Sequence, residues 1–333
     1  MMRAPHFWSA GLDPQSRAAA PLTRALLTPF SAAYQTITAR RIANGPHSKL
    51  PVCVICVGNL TSGGSGKTPI VQALRRQLLD KGLKAASLSR GYGGRLKGPI
   101  AVDPQTHSAN DVGDEPLMLA ASGESWISRD RHTGGLAMVD AGVEAIIMDD
   151  GHQNPQLAKD LSLVVIDSHA PFGNGYVLPK GPLREPPKAG LARADAVVLM
   201  GDGPTPHAVT VSGVSVLRAK LVQTLPVPSG PVFAFAGIGR PARFFDSLRK
   251  AGADVQDMLG FPDHHTYSAR DIMRLRALAE AHGYTLVTTR KDYVRLSEAD
   301  REGILPIDVQ AQFEDQSALE KLLAAVLGED TDG

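Results

Sequence analysis

Residues 58–69 read Gly58-Asn59-Leu60-Thr61-Ser62-Gly63-Gly64-Ser65-Gly66-Lys67-Thr68-Pro69. An apolar run precedes them and a helical pattern over 68–81 follows. This is the setting of a nucleotide-phosphate loop. Glycines let backbone N–H groups converge on phosphate oxygens, and the helix N-terminus adds a favourable dipole. Thr61, Ser62, Gly63, Gly64, Ser65 and Gly66 form the cradle. Lys67 is expected to reach the β- and γ-phosphates and the Thr68 hydroxyl to ligate Mg²⁺. Pro69 suits the first helical turn, where no N–H is needed. Thr61 departs from the usual G-x-x-x-x-G-K-[ST] pattern, which has glycine there. The strand, the glycines, Lys-Thr and the helix still follow in order. No guanine-reading Asn-Lys-x-Asp occurs, and Arg290-Lys291-Asp292 is no substitute, so the expected nucleotide is ATP.

Carboxylates come next. Residues 144–148 form an apolar run that delivers Asp149 and Asp150 to its end, as a Walker B strand delivers Mg²⁺ ligands. The following His152-Gln153-Asn154-Pro155 faces an acceptor sugar or is an ordinary polar turn. Asp111-Val112-Gly113-Asp114-Glu115-Pro116 opens a helix. Its acids serve as caps and dipole partners, or one of them handles an acceptor hydroxyl's proton. In Ser89-Arg90-Gly91-Tyr92-Gly93-Gly94-Arg95, the arginines suit a phosphate and Tyr92 a sugar face; the alternative is a surface turn. Phe261-Pro262-Asp263-His264-His265-Thr266-Tyr267 offers an acid–base pair or a structural loop histidine. A metal there is disfavoured, because no further Cys/His cluster has ligand spacing. Ser268 and Asp271 are spaced as a capping box.

The elements that position these groups alternate strand and helix, with short strands apolar on both faces. That predicts an α/β fold: a P-loop NTPase-like parallel sheet domain plus a smaller α/β domain, with an N-terminal amphipathic helix. The expected divisions are an N-terminal helix region at 1–50, the P-loop core at 51–207, a β-rich linker at 208–230 and the smaller domain at 231–333. Core strands are expected at 51–57, 85–88, 144–148, 161–166 and 196–200. Exposed strands at 209–211 and 214–222 are read as the connection. The second unit has strands at 232–236 and 285–289 and helices at 241–251 and 269–282; residues 306–309 add a strand and 316–327 a helix. Cys53 and Cys56 are three apart on one strand, so their thiols diverge and share neither a disulfide nor a metal.

The 333 residues carry 35 Lys+Arg against 34 Asp+Glu, a net charge of +1, and are 43% hydrophobic. This excludes a disordered chain, a polytopic membrane protein and a broadly basic nucleic-acid binder. Two cysteines point to a reducing compartment. No secretory signal is apparent at the N-terminus, and no run reaches transmembrane length. The charge is unevenly spread: residues 1–50 hold six basic residues and one acid. Within residues 21–41, Leu22, Leu26, Phe30, Ala33 and Ile37 recur at helical spacing, bordered by Arg24, Arg40 and Arg41, with Pro29 expected to bend the helix. Such a helix lies in a bilayer interface or packs on the protein's own body.

Taken together, GNLTSGGSGKTP, SRGYGG, DVGDEP, DDGHQN, PKGPLREP, FAGIGRP, FPDHHTY and TTRKD resemble the tetraacyldisaccharide 4'-kinase (lipid A 4'-kinase) family, in the family's order over residues 20–310. Thr61 is similar to the family's own form of the loop. The resemblance implies ATP-dependent phosphorylation of the 4'-hydroxyl of a tetraacylated glucosamine disaccharide 1-phosphate. It implies a peripheral enzyme on the cytoplasmic face of a Gram-negative inner membrane, with ATP and Mg²⁺ required and no nucleic-acid partner. By matching motif, Lys67 and Thr68 bind ATP–Mg²⁺, Asp149 and Asp150 serve the metal with Glu115, and Asp114 is the base, paired with His264. Arg90, Tyr92, Asn154 and Arg184 lie near the lipid headgroup. A kinase acting on a soluble metabolite and a P-loop switch ATPase are the alternatives.

Overall fold

The computed structural model describes residues 5–13 and 16–329. Its strands are β1 (Cys53–Gly58), β2 (Ala85–Ser89), β3 (Ile100–Ala101), β4 (Ser125–Ile127), β5 (Ala145–Asp149), β6 (Leu161–Asp167), β7 (Ala196–Met200), β8 (Ser215–Gln223), β9 (Pro231–Ala236), β10 (Asp254–Gly260), β11 (Thr285–Thr289), β12 (Ile304–Ile307) and β13 (Val309–Phe313). A nine-stranded sheet has the order β13-β8-β7-β6-β1-β5-β2-β4-β3, and a four-stranded sheet the order β10-β9-β11-β12. In the large sheet every pairing is parallel except those of the edge strands β13 and β3. Helices cover both faces, so β5, β6 and β7 are buried along their whole length. That is why their sequences run apolar rather than alternating.

The cysteines diverge as expected. Cys53 packs beside Ile55 and Val57, and Cys56 joins Val54 and Met148 on the opposite face. Burial pushes both thiols up to about 11, so neither is a thiolate at neutral pH.

Several expected elements differ. Residues 209–211 are not a strand but part of the helix His207–Ser212, which buries Val209 against the large-sheet core and ends at Gly213, φ 69°. Three alternating residues are too few to separate the two periods. The exposed connection expected at 214–222 is instead β8, Ser215–Gln223, paired with both β7 and β13. The expected 208–230 linker therefore supplies a strand of the large sheet. The expected strand at 306–309 divides into β12 and β13, which belong to different sheets. The C-terminal helix Gln316–Leu327 also returns to the large sheet, where Leu319 and Leu323 pack with Leu74 and Leu78. The smaller unit is thus an insertion between two paired strands, and its boundary falls near residue 308. Its two crossings run side by side: Gln223 is in register with Val309, and Thr224 N–H donates to Asp308 O at 3.1 Å. The charged strand β10 had no apolar pattern to announce it.

The helix Pro21–Ala43 continues through Pro29. It buries Ser31, Thr38 and Ile42, and Ser31 Oγ donates to Val177 O at 2.7 Å. The apolar stripe faces outward: Leu22, Leu26, Phe30 and Ile37 are 81%, 74%, 64% and 66% exposed. Among the described residues, no helix is long and apolar enough to cross a membrane.

Candidate active site

β1 ends at Gly58, where a Cβ would lie 2.4 Å from the Cβ of His152, so only glycine lets the 149–155 turn pack on the strand end. The loop that follows is closed from inside by Asn59, whose Nδ2 donates to Gly63 O at 3.2 Å and Ser65 Oγ at 3.1 Å. It is stitched from outside to residues 182–184. Ser62 N–H donates to Pro182 O at 2.7 Å and Arg184 N–H to Leu60 O at 2.8 Å, with Thr61 bridged to Leu183. Thr61 therefore holds an extended contact that needs no glycine. Gly63 and Gly64 face open space, and Gly66 adopts φ 87° before the helix Lys67–Asp80 begins. Lys67 and Thr68 are both buried at that helix start.

Parallel pairing of β5 with β1 puts Asp149 opposite Val57. Asp149 is 2% exposed, and its Oδ1 has no hydrogen-bond partner among the described residues. Burial, reinforced by the charges of Glu115 and Asp150 and opposed by Lys67 and Arg131, pushes its carboxyl up to about 7. An orphaned carboxylate oxygen on the cleft that buried Thr68 also lines fits a Mg²⁺ ion, a hard cation that takes few protein oxygens beside substrate phosphates. Among the described residues no three His, Cys, Asp or Glu side chains cluster as a metal site. Asp150, at φ 58°, is already engaged. Its Oδ1 lies 3.4 Å from Lys67 Nζ, and Arg184 Nη1 donates to both its oxygens at 2.8 Å. Burial alone would raise it, but Lys67 and Arg184 outweigh burial and hold it well below the usual carboxylate range.

The other expected contact residues divide. Arg90 and Tyr92 are exposed on the same cleft. Arg95 is bound to Asp111 at 2.7 Å, so that arginine is structural. Arg184 belongs to the Asp150 pair. Asn154 builds its own turn: Oδ1 accepts from Gln156 N–H at 2.9 Å and Nδ2 donates to Gln156 Oε1 at 3.0 Å.

Asp114 opens the helix Asp114–Ala120, and residues from the smaller unit converge on it. His264 Nδ1 lies 2.9 Å from Asp114 Oδ2, Arg295 Nε donates to the same oxygen at 3.0 Å and Arg295 Nη2 joins it. Burial would raise this carboxyl. The hydrogen bond from His264 and the charges of Lys291 and Arg295 prevail and hold it well below the usual range. An ionised carboxylate only accepts, so Nδ1 of His264 carries a proton. Lys291 Nζ, which only donates, lies 3.4 Å from His264 Nε2 and 3.5 Å from Glu115 Oε1. In the neutral ring Nε2 is then the acceptor nitrogen. His264 has φ 56°, a left-handed backbone that non-glycine residues rarely adopt. Its neighbour His265 is structural, stacked on Phe261 at 4.6 Å, and Ser268 and Asp271 form the expected capping box.

Four residues escaped the sequence reading. Lys291 and Arg295 follow β11, and Arg295 also donates to Gly237 O at 2.8 Å and Asp292 Oδ1 at 2.9 Å. Asp292, fully buried, holds Gly237 N–H at 3.0 Å and Tyr267 Oη at 2.9 Å, which ties the FAGIGRP and FPDHHTY segments together. Arg131, 2% exposed, lies within electrostatic reach of Asp149 and Asp150. The Arg-Lys-Asp triplet was the one available signal; Arg131 had none. A second ion cluster spans the units, where Arg240 and Arg243 each reach Asp167 Oδ2 at 2.5 Å.

The phosphate loop, Asp149, Asp150, Arg184, His264 and Lys291 line one cleft of about 2840 Å³, which also reaches Tyr34, Thr38 and Arg41 on the N-terminal helix. A single small ligand fills about 300–1000 Å³, so the cleft has room for a nucleotide and a second, larger substrate.

The chain matches the LpxK family, tetraacyldisaccharide-1-P 4'-kinase, over residues 23–328. It is 57% identical over 325 residues to the tetraacyldisaccharide 4'-kinase of Hyphomonas neptunium, covering 98% of both chains. It is 48% identical over 338 residues to that of Maricaulis maris, covering 99% of this chain and 98% of the relative. Among solved structures, an LpxK from Aquifex aeolicus in complex with ATP superposes with a TM-score of 0.74 at 30% identity, covering 91% of this chain and 99% of that one. Sequence and fold agree over nearly the whole length, and the chain belongs to the tetraacyldisaccharide-1-phosphate 4'-kinase family.

Proposed function

We propose that this chain transfers the γ-phosphate of ATP to the 4'-hydroxyl of a tetraacylated glucosamine disaccharide 1-phosphate, giving the lipid A precursor lipid IVA. The observation that carries this is that the phosphate loop at Lys67–Thr68 and His264, brought from the other unit and paired with Asp114, face one cleft. The loop N–H groups and Lys67 hold the triphosphate. Thr68 and Asp149 would hold Mg²⁺, with Glu115 nearby; the ion supplies charge neutralisation on the phosphates. Asp150 keeps Lys67 and Arg184 in place.

The proton falls to His264 rather than Asp114. Asp114 is fixed in its ionised form by three cationic or hydrogen-bonding partners, and such a carboxylate accepts a proton poorly. It orients His264 and stabilises the imidazolium that forms when Nε2 takes the hydroxyl proton. Arg90 and Tyr92, free on the cleft wall, contact the sugar and phosphate of the headgroup. The exposed Leu22, Leu26, Phe30 and Ile37 support peripheral docking of the N-terminal helix in the cytoplasmic face of the inner membrane, with Arg40 and Arg41 towards anionic headgroups.

The test is incubation with γ-labelled ATP and the lipid disaccharide precursor in detergent micelles. Label appears in the lipid with the wild-type chain and falls by at least about a hundredfold with Asp114→Ala or His264→Ala. ATP bound or hydrolysed with no label in the lipid would overturn the reading in favour of a switch ATPase.

A further inference from the structure

The cations of this cleft are held very unequally. Arg295 is 6% exposed at its side chain and forked between Asp114, Asp292 and Gly237 O. Arg184 and Lys67 share Asp150. Arg131 is buried. Lys291 differs: its ammonium lies 3.4 Å from His264 Nε2, 3.5 Å from Glu115 Oε1 and 3.8 Å from Asp114 Oδ2. All three are long for charge-assisted hydrogen bonds, which run at about 2.7–2.9 Å. Its side chain keeps 20% of its surface and lines the cleft.

This placement carries a chemical conflict. While the Lys291 ammonium faces Nε2, the lone pair that must accept the substrate proton is occupied, and a positive charge opposes formation of imidazolium. The same cation is parked on Glu115, whose charge acts on Asp149 beside the phosphate loop. We propose that Lys291 is a catalytic residue, a cation delivered by the smaller unit that leaves His264 and Glu115 when ATP binds and takes an oxygen of the transferring phosphoryl group. A triphosphate offers more negative charge than one carboxylate, and a four-carbon stem lets the ammonium swing while its backbone stays fixed. The backbone is anchored, because the preceding Arg290 is paired with Asp308 at the crossing between the units. The move does two things together: it screens the charge on the γ-phosphate, and it uncovers Nε2. In the transfer, the bond from the 4'-oxygen to the γ-phosphorus forms as the bond from that phosphorus to the β–γ bridging oxygen breaks. ADP leaves with that electron pair, and the hydroxyl proton passes to His264 Nε2.

This inference rests on the reading of His264 as the proton acceptor, so the two are tested side by side in the full chain. Lys291→Met is expected to lower kcat by about 10²–10³-fold and to weaken ATP binding by a smaller factor of about tenfold or less, since the triphosphate draws the ammonium only by binding it, with the melting temperature at most slightly lowered, because the parked contacts are long. Lys291→Arg retains part of the activity. Lys291→Cys is inactive and regains at least about tenfold in kcat after aminoethylation with 2-bromoethylamine, which rebuilds a lysine-like amine. The two native thiols, Cys53 half-buried and Cys56 buried, are both pushed up to about 11 and react slowly under the same treatment. Near-normal turnover by Lys291→Met beside an inactive His264→Ala would overturn the role of Lys291 and leave the acceptor reading intact. Normal turnover by His264→Ala would overturn the acceptor reading itself. Loss of ATP affinity in step with kcat, or no gain on aminoethylation, would also overturn the proposal.

Discussion

Replacing Asp149 by Asn should make the metal-free protein more stable and useless as a kinase. Asp149 is 2% exposed with one oxygen unpartnered, and its carboxyl is pushed from an ordinary 3.8 up to about 7. Between those values the folded chain keeps a proton that the unfolded chain has shed, so stability falls as pH rises across the window and is level above it. Each tenfold change in proton concentration there is worth about 1.4 kcal/mol. By pH 8 the ionised carboxylate costs the fold about 4 kcal/mol, and at pH 5 under about 2 kcal/mol. Asn is close in shape and carries no charge, so it escapes this cost. Urea unfolding in EDTA should therefore show Asp149→Asn more stable than wild type by about 4 kcal/mol at pH 8, with the gap narrowing by more than half at pH 5. Mg²⁺ with ATP should stabilise wild type more than the variant, because only in wild type does the ion give this carboxylate the partner it lacks. A variant no more stable than wild type at pH 8, or a gap that ignores pH, would refute the argument that this carboxylate is held ready for a cation at the expense of the fold.

Three further outcomes follow from the geometry. Gly58→Ala puts a methyl 2.4 Å from His152 Cβ; overpacking of this kind costs about 1–3 kcal/mol, and the displaced 149–151 turn should lower kcat as well, read by denaturation and steady-state kinetics. Leu26→Glu with Phe30→Glu removes two exposed apolar side chains worth about 1.5–3 kcal/mol each when buried. Sedimentation with anionic vesicles should fall by at least about a hundredfold, and unchanged sedimentation would remove the helix from membrane docking. Asp167→Asn breaks both arginine contacts between the units; hydrogen exchange at amides facing the cleft should speed up by about tenfold, and unchanged exchange would remove this cluster from holding the units together.

The phosphate loop was legible in the sequence because it is local: strand, glycines, Lys-Thr and helix lie within about 30 residues, and each obeys its own short-range rule. The buried strands were legible for the same reason. The pairing of Asp114 with His264 came from resemblance, since 150 residues separate them. Arg295 reaches Asp114 across 181 residues, and no local pattern marks an isolated arginine for that contact. Arg131 is equally silent, an ordinary helix residue made special by the strand end it faces. The pairing of β8 with β13 was hidden because exposed alternation reads the same in a linker hairpin as at a sheet edge. The N-terminal stripe shows the converse: its period was plain, but which side it faced depended on Ser31 meeting Val177 O.

The side-by-side crossings at Gln223 and Val309 also govern the order in which the chain becomes a structure. The insertion is contiguous over residues 231–307 and holds its own core around Phe233, Phe235 and Val287. The larger unit is the late one, although most of it is made first. β8 lacks its second partner, and Leu74 and Leu78 lack Leu319 and Leu323, until residues 309–327 leave the ribosome. At about 5–20 residues per second, synthesis of that stretch leaves the phosphate-loop unit with an open sheet edge for several seconds. The C-terminal helix is therefore a closure on the whole nucleotide-binding half, and a nascent chain stalled before residue 309 holds a finished lobe carrying His264 beside an unfinished one carrying Lys67.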